Sequence, residues 1–207
     1  MPTWLPTLFR KYTWKVNTTE PRIFLTFDDG PDPIPTRFVL DTLKQYQAKA
    51  TFFCVGENLS KHGELAKEIM NQGHVLANHT MNHLKGWQTS HDHYLENTQK
   101  CQETLKSYSN SKLFRPPYGR ITKRQTKSLK EAGYDIIMWD LISYDYDQKI
   151  NLKRALDQLI RHSKPGSIVV FHDSTKAWNQ LKVLLPKYMH ELSNRGFSFE
   201  SIPSSHN

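Results

Sequence analysis

"IFLTFDDGP", residues 23–31, runs through five apolar or β-branched residues, then sets Asp28 and Asp29 side by side and follows them with Gly30 and Pro31. A short run of this kind, closed by turn residues, predicts a buried strand that ends at the two acids. Six further runs read the same way: 50–55 (ATFFCV), 74–78 (HVLAN), 113–115 (LFR), 135–140 (DIIMWD), 167–172 (SIVVFH) and 197–202 (FSFESI). Most are nearly continuous apolar stretches, as expected of parallel strands covered on both faces. Between them lie stretches of helical period at about 36–46, 60–72, 91–108, 122–132, 151–162 and 178–195. Gly73, Gly133 and Gly196 follow three of these as stop signals, and Pro186 is expected to kink or restart the last helix. The alternation is that of an α/β fold, and successive strand–helix–strand units of one handedness close into a barrel or wind an open sheet.

The chain has 207 residues, 23% of them charged, with neither low-complexity tracts nor a repeat period, so a single ordered domain is expected over residues 22–207. Residues 1–21 read as an irregular, aromatic-bearing lead-in. The formal net charge of +8 could attract a polyanion. Its Lys and Arg residues are scattered over the helical stretches, so it reads as a solvated surface, with no nucleic-acid partner and no protein partner implied. Cys54 and Cys101 fall in apolar settings and are expected to be buried thiols, not a disulfide or metal ligands. The first residues lack the apolar core of a signal segment, and no run of ~20 apolar residues could span a bilayer. Location by sequence alone would be cytoplasmic.

The polar residues at the strand ends would converge on one rim, where α/β barrels carry their active sites. After the first strand stand Asp28 and Asp29; after the third, His79 and His83; after the fourth, Arg115; then Asp140 and Asp145; and after SIVVF, His172 and Asp173. His79 and His83 are four residues apart, a spacing that puts two imidazoles on one face of a helical turn. With one carboxylate, from Asp28 or Asp29, they would make a two-histidine, one-acid metal site with open positions. The second acid would then be free to take a proton from water, while the alternative for either acid is to cap the Asp-Gly-Pro turn. Arg115 would orient a catalytic carboxylate, and His172 would serve as a general acid with Asp145 or Asp173 fixing its tautomer.

The motifs TFDDGP (26–31), HTMNH (79–83), RPPYG (115–119), WDLISYDY (139–146) and VVFHD (169–173) resemble, in order and spacing, those of polysaccharide deacetylases, carbohydrate esterase family 4. The likeness spans about residues 22–202. It implies a distorted (β/α) barrel of about seven parallel strands. It also implies removal of N-acetyl groups from N-acetylglucosamine-containing glycans such as peptidoglycan or chitin, with an acetylated glycan as the partner. By this resemblance Asp29, His79 and His83 hold one divalent ion, usually zinc, with cobalt or another divalent ion as alternatives. Asp28 is then the base, Arg115 orients it, the backbone N–H of Tyr118 helps polarise the carbonyl, and His172 protonates the leaving amine under the influence of Asp145. Pro116, Tyr146, Val170 and Trp87 are the substrate-contact candidates, with Trp139 either at the sugar or in the core. Tyr146 stands where the family usually has tryptophan, and Val170 where leucine commonly lines the acetyl pocket. By family analogy the location would be extracytoplasmic or at the cell wall. Competing functions are an O-acetyl esterase on a glycan such as acetylxylan, a non-catalytic glycan-binding module, and a phosphoester hydrolase, for which a second metal's worth of acids is missing.

Overall fold

Strand β1 (Arg22–Asp28) is the axis on which the rest is assembled in the computed structural model, which describes residues 11–203. It pairs in parallel with β2 (Thr51–Cys54) on one side and β7 (Ile168–His172) on the other. The sheet continues from β2 through β3 (Val75–Asn78) and β4 (Leu113–Phe114) to β5 (Asp135–Ile136), and from β7 to β6 (Leu141–Ile142). β8 (Ser198–Glu200) pairs with Arg22–Phe24, below the Thr26–Asp28 stretch that β2 occupies. All seven expected strands are present, but the one expected over 135–140 stops at Ile136 and an eighth, β6, follows it. The reason lies in the chain's course. After β5, at one edge of the sheet, it crosses to β7 at the other, with Asp140 N–H donating to Ile168 O at 3.0 Å. That crossing curls the sheet towards a barrel.

The lead-in takes part in this closure. Residues 1–10 lie outside the described residues, but Thr13 bridges Ile137 in parallel and Lys15 bridges Ser167 in antiparallel sense. Residues 13–15 of the lead-in thus lie between the two sheet edges, held by isolated bridges with no helix or strand over 11–21.

The helices α1 (Pro33–Gln45), α2 (Gly56–Lys61), α3 (Gly63–Asn71), α4 (His91–Leu105), α5 (Lys123–Glu131), α6 (Leu152–His162) and α7 (Trp178–Asn194) cover the outer face. The single helix expected over 60–72 is two, broken at His62, whose φ of −125° and ψ of 45° are not helical. α7, expected to kink or restart at Pro186, continues through it as one helix. An interior proline costs about 3 kcal/mol. Leu181, Leu184, Leu185, Tyr188, Met189 and Leu192 of the same helix are buried, at roughly 1.5–3 kcal/mol for each such side chain, and outweigh it. α5 ends as expected at Gly133 (φ 82°), whose N–H returns to Lys130 O while Tyr134 N–H returns to Leu129 O, both at 3.0 Å.

Strand alternation divides the core. Ile23, Leu25 and Phe27 of β1, Phe52 of β2, and Val169 and Phe171 of β7 face the helix layer, where Leu40, Leu43, Leu184 and Tyr188 receive them. Phe24, Phe53, Ala77 and Ile168 point into the barrel. The same alternation sends Thr26 and Asp28 inward, so the acid at the end of β1 is carried into the barrel mouth by pleating alone. Cys54 and Cys101 are buried free thiols, as expected. Among the described residues no helix is long and apolar enough to cross a membrane.

Candidate active site

The two neighbouring acids have different surroundings. Asp28, still in the strand, is buried and receives Nη1–H of Arg115 at 2.6 Å. Arg115 is itself fully buried. It also donates to Thr26 Oγ1 at 2.7 Å and to the carbonyls of Ile137 and Met138, and its guanidinium lies 4.1 Å from the centroid of Phe53. Burial lowers the arginine's pKa and Asp28 opposes that shift. Asp29 departs from the strand with φ of 80°, which turns its carboxylate away from Arg115 towards the histidines. That turn is held from below by Asp173, which accepts Gly30 N–H at 3.1 Å and Thr36 Oγ1–H at 2.6 Å. A side chain at position 30 would meet the Asp173 carboxylate at 2.1 Å, so only glycine fits there. Burial pushes the Asp173 carboxyl well above its usual range.

Asp29, His79 and His83 each offer a ligand atom, all within 4.8 Å of one another. Asp29 Oδ1 is 3.2 Å from His83 Nε2 and 3.6 Å from His79 Nε2. Two donors each ~2.0–2.1 Å from a tetrahedral ion stand about 3.4 Å apart, so these gaps are the size a shared ion needs. His79 donates Nδ1–H to Arg115 O at 2.7 Å, and because a carbonyl can only accept, Nε2 is left with its lone pair towards the site. Burial lowers the pKa of His79 to about 4, keeping it in the neutral, ligating form. Burial raises the Asp29 pKa, but the hydrogen bond with His83 and the charges of His172, His79 and His83 outweigh it and hold the carboxyl well below the usual range. One carboxylate and two imidazoles suit a borderline divalent ion such as zinc. The four-residue spacing works differently from the helical turn expected. The segment 79–83 is a loop with Thr80 at φ 65° and His83 at φ 53°. The loop is tied down by Asn97 Oδ1, which accepts from Met81 and Asn82 N–H.

Across the cavity, Asp145 settles which acid partners His172. It accepts the ring Nδ1–H of His172 at 2.7 Å and its backbone N–H at 2.8 Å, while Asp173 faces Gly30 and Thr36. Burial pulls the His172 pKa down. The charge and hydrogen bond of Asp145 outweigh it, with Asp29 and Asp28 adding, and the pKa is pushed up to about 9. The imidazole is therefore protonated at neutral pH.

These groups share one cavity of about 410 Å³, lined by Asp28, Asp29, His79, His83, Tyr118, Gly119, Trp139, Ile142, Tyr146, Val170, His172 and Lys176. Tyr146 meets the His172 ring edge-on at 5.0 Å, and Val170 sits in the wall. Tyr118, at φ 60°, holds its ring tilted against His83 with centroids 4.7 Å apart, and its backbone N–H has no hydrogen-bond acceptor among the described residues. Two expected contact residues are not in the lining. Pro116 is buried, and Trp87 packs edge-on against Tyr118, with ring centroids 5.5 Å apart. Asp140 accepts from Ser167 Oγ at 2.7 Å and lies outside this cavity. Lys176 and Ile142 were not marked by the sequence reading. Lys176 could have been found by its place four residues after His172, in the loop that leaves the same strand.

The model of the polysaccharide deacetylase family matches residues 15–137. The chain is 38% identical over 198 residues to a peptidoglycan-N-acetylglucosamine deacetylase of Bacillus cereus, covering 92% of this chain and 90% of the relative. It is 30% identical to a chitooligosaccharide deacetylase of Sinorhizobium fredii, covering 91% of this chain and 94% of that one. A crystal structure of a peptidoglycan N-acetylglucosamine deacetylase, in complex with a naphthyl-substituted N-hydroxybenzamide, matches with a TM-score of 0.89 at 32% identity, covering 97% of this chain and 96% of that chain. With the family model over more than half its length and relatives of this similarity over nine-tenths of it, the chain belongs to the polysaccharide deacetylase family.

Proposed function

We propose that the chain is a metal-dependent N-deacetylase acting on N-acetylglucosamine units of a glycan, with peptidoglycan, named for the Bacillus cereus relative, as the first substrate to test. The observation that carries this reading is the meeting, in one 410 Å³ cavity, of three residues that could hold a metal ion, the Asp28 carboxylate paired with Arg115, and His172 hydrogen-bonded to Asp145. Asp29, His79 and His83 would hold the ion, zinc by the chemistry of the donor set. A bound divalent ion supplies Lewis-acid chemistry, lowering the pKa of water and polarising a carbonyl.

The chain's own residues do the rest. Asp28, kept in place by Arg115, accepts the proton of the attacking water. The backbone N–H of Tyr118 donates to the oxyanion as the acetyl carbon becomes tetrahedral. The carbon–nitrogen bond then breaks as His172 gives its Nε2 proton to the departing amine, the proton being held there by Asp145 on the opposite nitrogen. Val170 and Ile142 supply apolar wall for the acetyl methyl. A separate, pre-charged acid favours amide cleavage over ester cleavage, because an amine leaves poorly unless protonated.

Acetate release from chitooligosaccharide, from O-deacetylated peptidoglycan and from acetylxylan, each with and without a chelator, tests the proposal. Chelator-sensitive release from the first two is expected. Release from acetylxylan alone would make the protein an esterase, and release from none of the three would leave it a binding module.

A further inference from the structure

A second, larger space adjoins the catalytic cavity and has no part in the chemistry described above. Its volume is about 1,070 Å³, and Gly119, Trp139, Ile142 and Tyr146 line both spaces, so the two share a wall. One wall is Asn151, the N-cap of α6, with Arg154, Gln158 and His162 of that helix; the other is the outer side of 140–146, including the edge of β6 that no strand pairs among the described residues. Ligand pockets fall in the range of ~300–1,000 Å³, so the catalytic cavity suffices for one acetylated sugar while the groove is larger than such a ligand requires.

The lining changes along its length. Near the catalytic end stand aromatic rings: Trp139, Tyr146 and Tyr144, the last 51% exposed, at φ 56° and 6.2 Å from Tyr146. Tyr144 is exposed and Trp139 and Tyr146 are half-buried, and aromatic rings offer flat faces to the C–H side of a sugar. Further on stand three cations, Lys15, Arg154 and Lys164, none with an ion-pair partner among the described residues. The one acid in the lining, Asp140, is occupied by Ser167 Oγ–H at 2.7 Å. Three cations against one acid leave the groove positive next to a reaction centre that handles a neutral amide. Hydrolysis of the amide has no need of that charge, whereas a substrate carrying carboxylates does.

We infer that this groove binds an acidic peptide substituent of the glycan, the sugars lying on Tyr144 and Tyr146 and the peptide carboxylates on Arg154, Lys164 and Lys15. The inference rests on the deacetylase reading for the sugar chain and adds to it a substrate class: glycan bearing carboxylate-rich peptides in preference to bare glycan.

The test compares the unsubstituted protein with the double variant Arg154→Gln/Lys164→Gln on two matched substrates, peptidoglycan fragments with their peptides and the same fragments stripped of peptide. Both side chains are exposed, so folding is expected to be unaffected, checked by thermal melting. An exposed charge contact is worth little singly, so the pair is expected to lower kcat/KM on peptide-bearing fragments by about fivefold to tenfold, through KM. Activity on stripped fragments stays unchanged, and the difference between substrates vanishes in high salt. Equal activity of the two proteins on both substrates, or an equal loss on both, overturns the inference. Binding of the peptide-bearing fragment to Asp28→Asn protein, with and without the two added substitutions, supplies a readout without turnover. If no acetate is released from either substrate, the deacetylase reading fails, and this binding difference alone still decides whether the groove takes acidic peptide.

Discussion

Two sides of the catalytic cavity each bury a carboxylate against a nitrogen base, and they are built for opposite tasks. On one side Asp28 faces Arg115, which cannot give up its proton at any working pH. On the other, Asp145 faces His172, which can, and whose pKa it pushes up to about 9. In the proposed mechanism the first pairing holds the base in place; the second holds a removable proton on His172. Asp173 has no cation beside it among the described residues; burial drives its pKa well above the usual range, and it fastens the Gly30 turn. In the proposed mechanism the partner of each acid sets its task.

Breaking the first pairing is expected to have the largest effect. Arg115→Ala leaves Asp28 buried without its counter-charge, a change of about 3–5 kcal/mol in stability, read as a drop in the melting midpoint together with loss of acetate release. Asp28→Asn preserves an acceptor for Arg115 but cannot take a proton, so acetate release falls by about 10²–10⁴-fold while the fold persists.

The second pairing is sharpened by pH. Because the His172 pKa lies above its ordinary value, 6.5 against about 9, the stabilisation it contributes is complete below pH 6.5 and is lost as pH rises through 9. The acid form that the proposed mechanism uses is lost over the same range. An alkaline limb in kcat is expected at or below pH 9, lower with an ion bound, because a divalent cation offsets the Asp29 charge that helps raise it. Asp145→Asn should move that limb downwards, and a pH profile that does not respond to Asp145→Asn would remove His172 from the role of acid. Asp173→Asn should have the smallest effect, about 0.5–1.5 kcal/mol of stability with no shift in the pH profile.

Much of this site was legible because strands advertise their ends. Seven apolar runs gave the sheet, and the polar residues just past them gave the cavity. Less legible was anything set by a single backbone angle or by a crossing of the chain. Asp28 and Asp29 are indistinguishable as letters, and φ of 80° at Asp29 decides which one meets the histidines. The loop at His79–His83 closes through left-handed residues that no spacing rule anticipates. β6 is two residues long and exists because the chain crosses from β5 to β7. Residue reading alone left Asp145 and Asp173 as equal candidates; the family resemblance pointed to Asp145, which is the one that hydrogen-bonds His172. The groove along α6 depends on residues as distant as Lys15 and Lys164, which tertiary folding alone brings together.

Metal content of the purified protein and of its two adjacent aspartate variants bears most directly on the division of labour between Asp28 and Asp29. One divalent ion per chain is expected in the unsubstituted protein and in Asp28→Asn, and none in Asp29→Asn, with acetate release lost in both variants. An ion retained by Asp29→Asn and lost from Asp28→Asn would contradict the assignment of the ligand and the base.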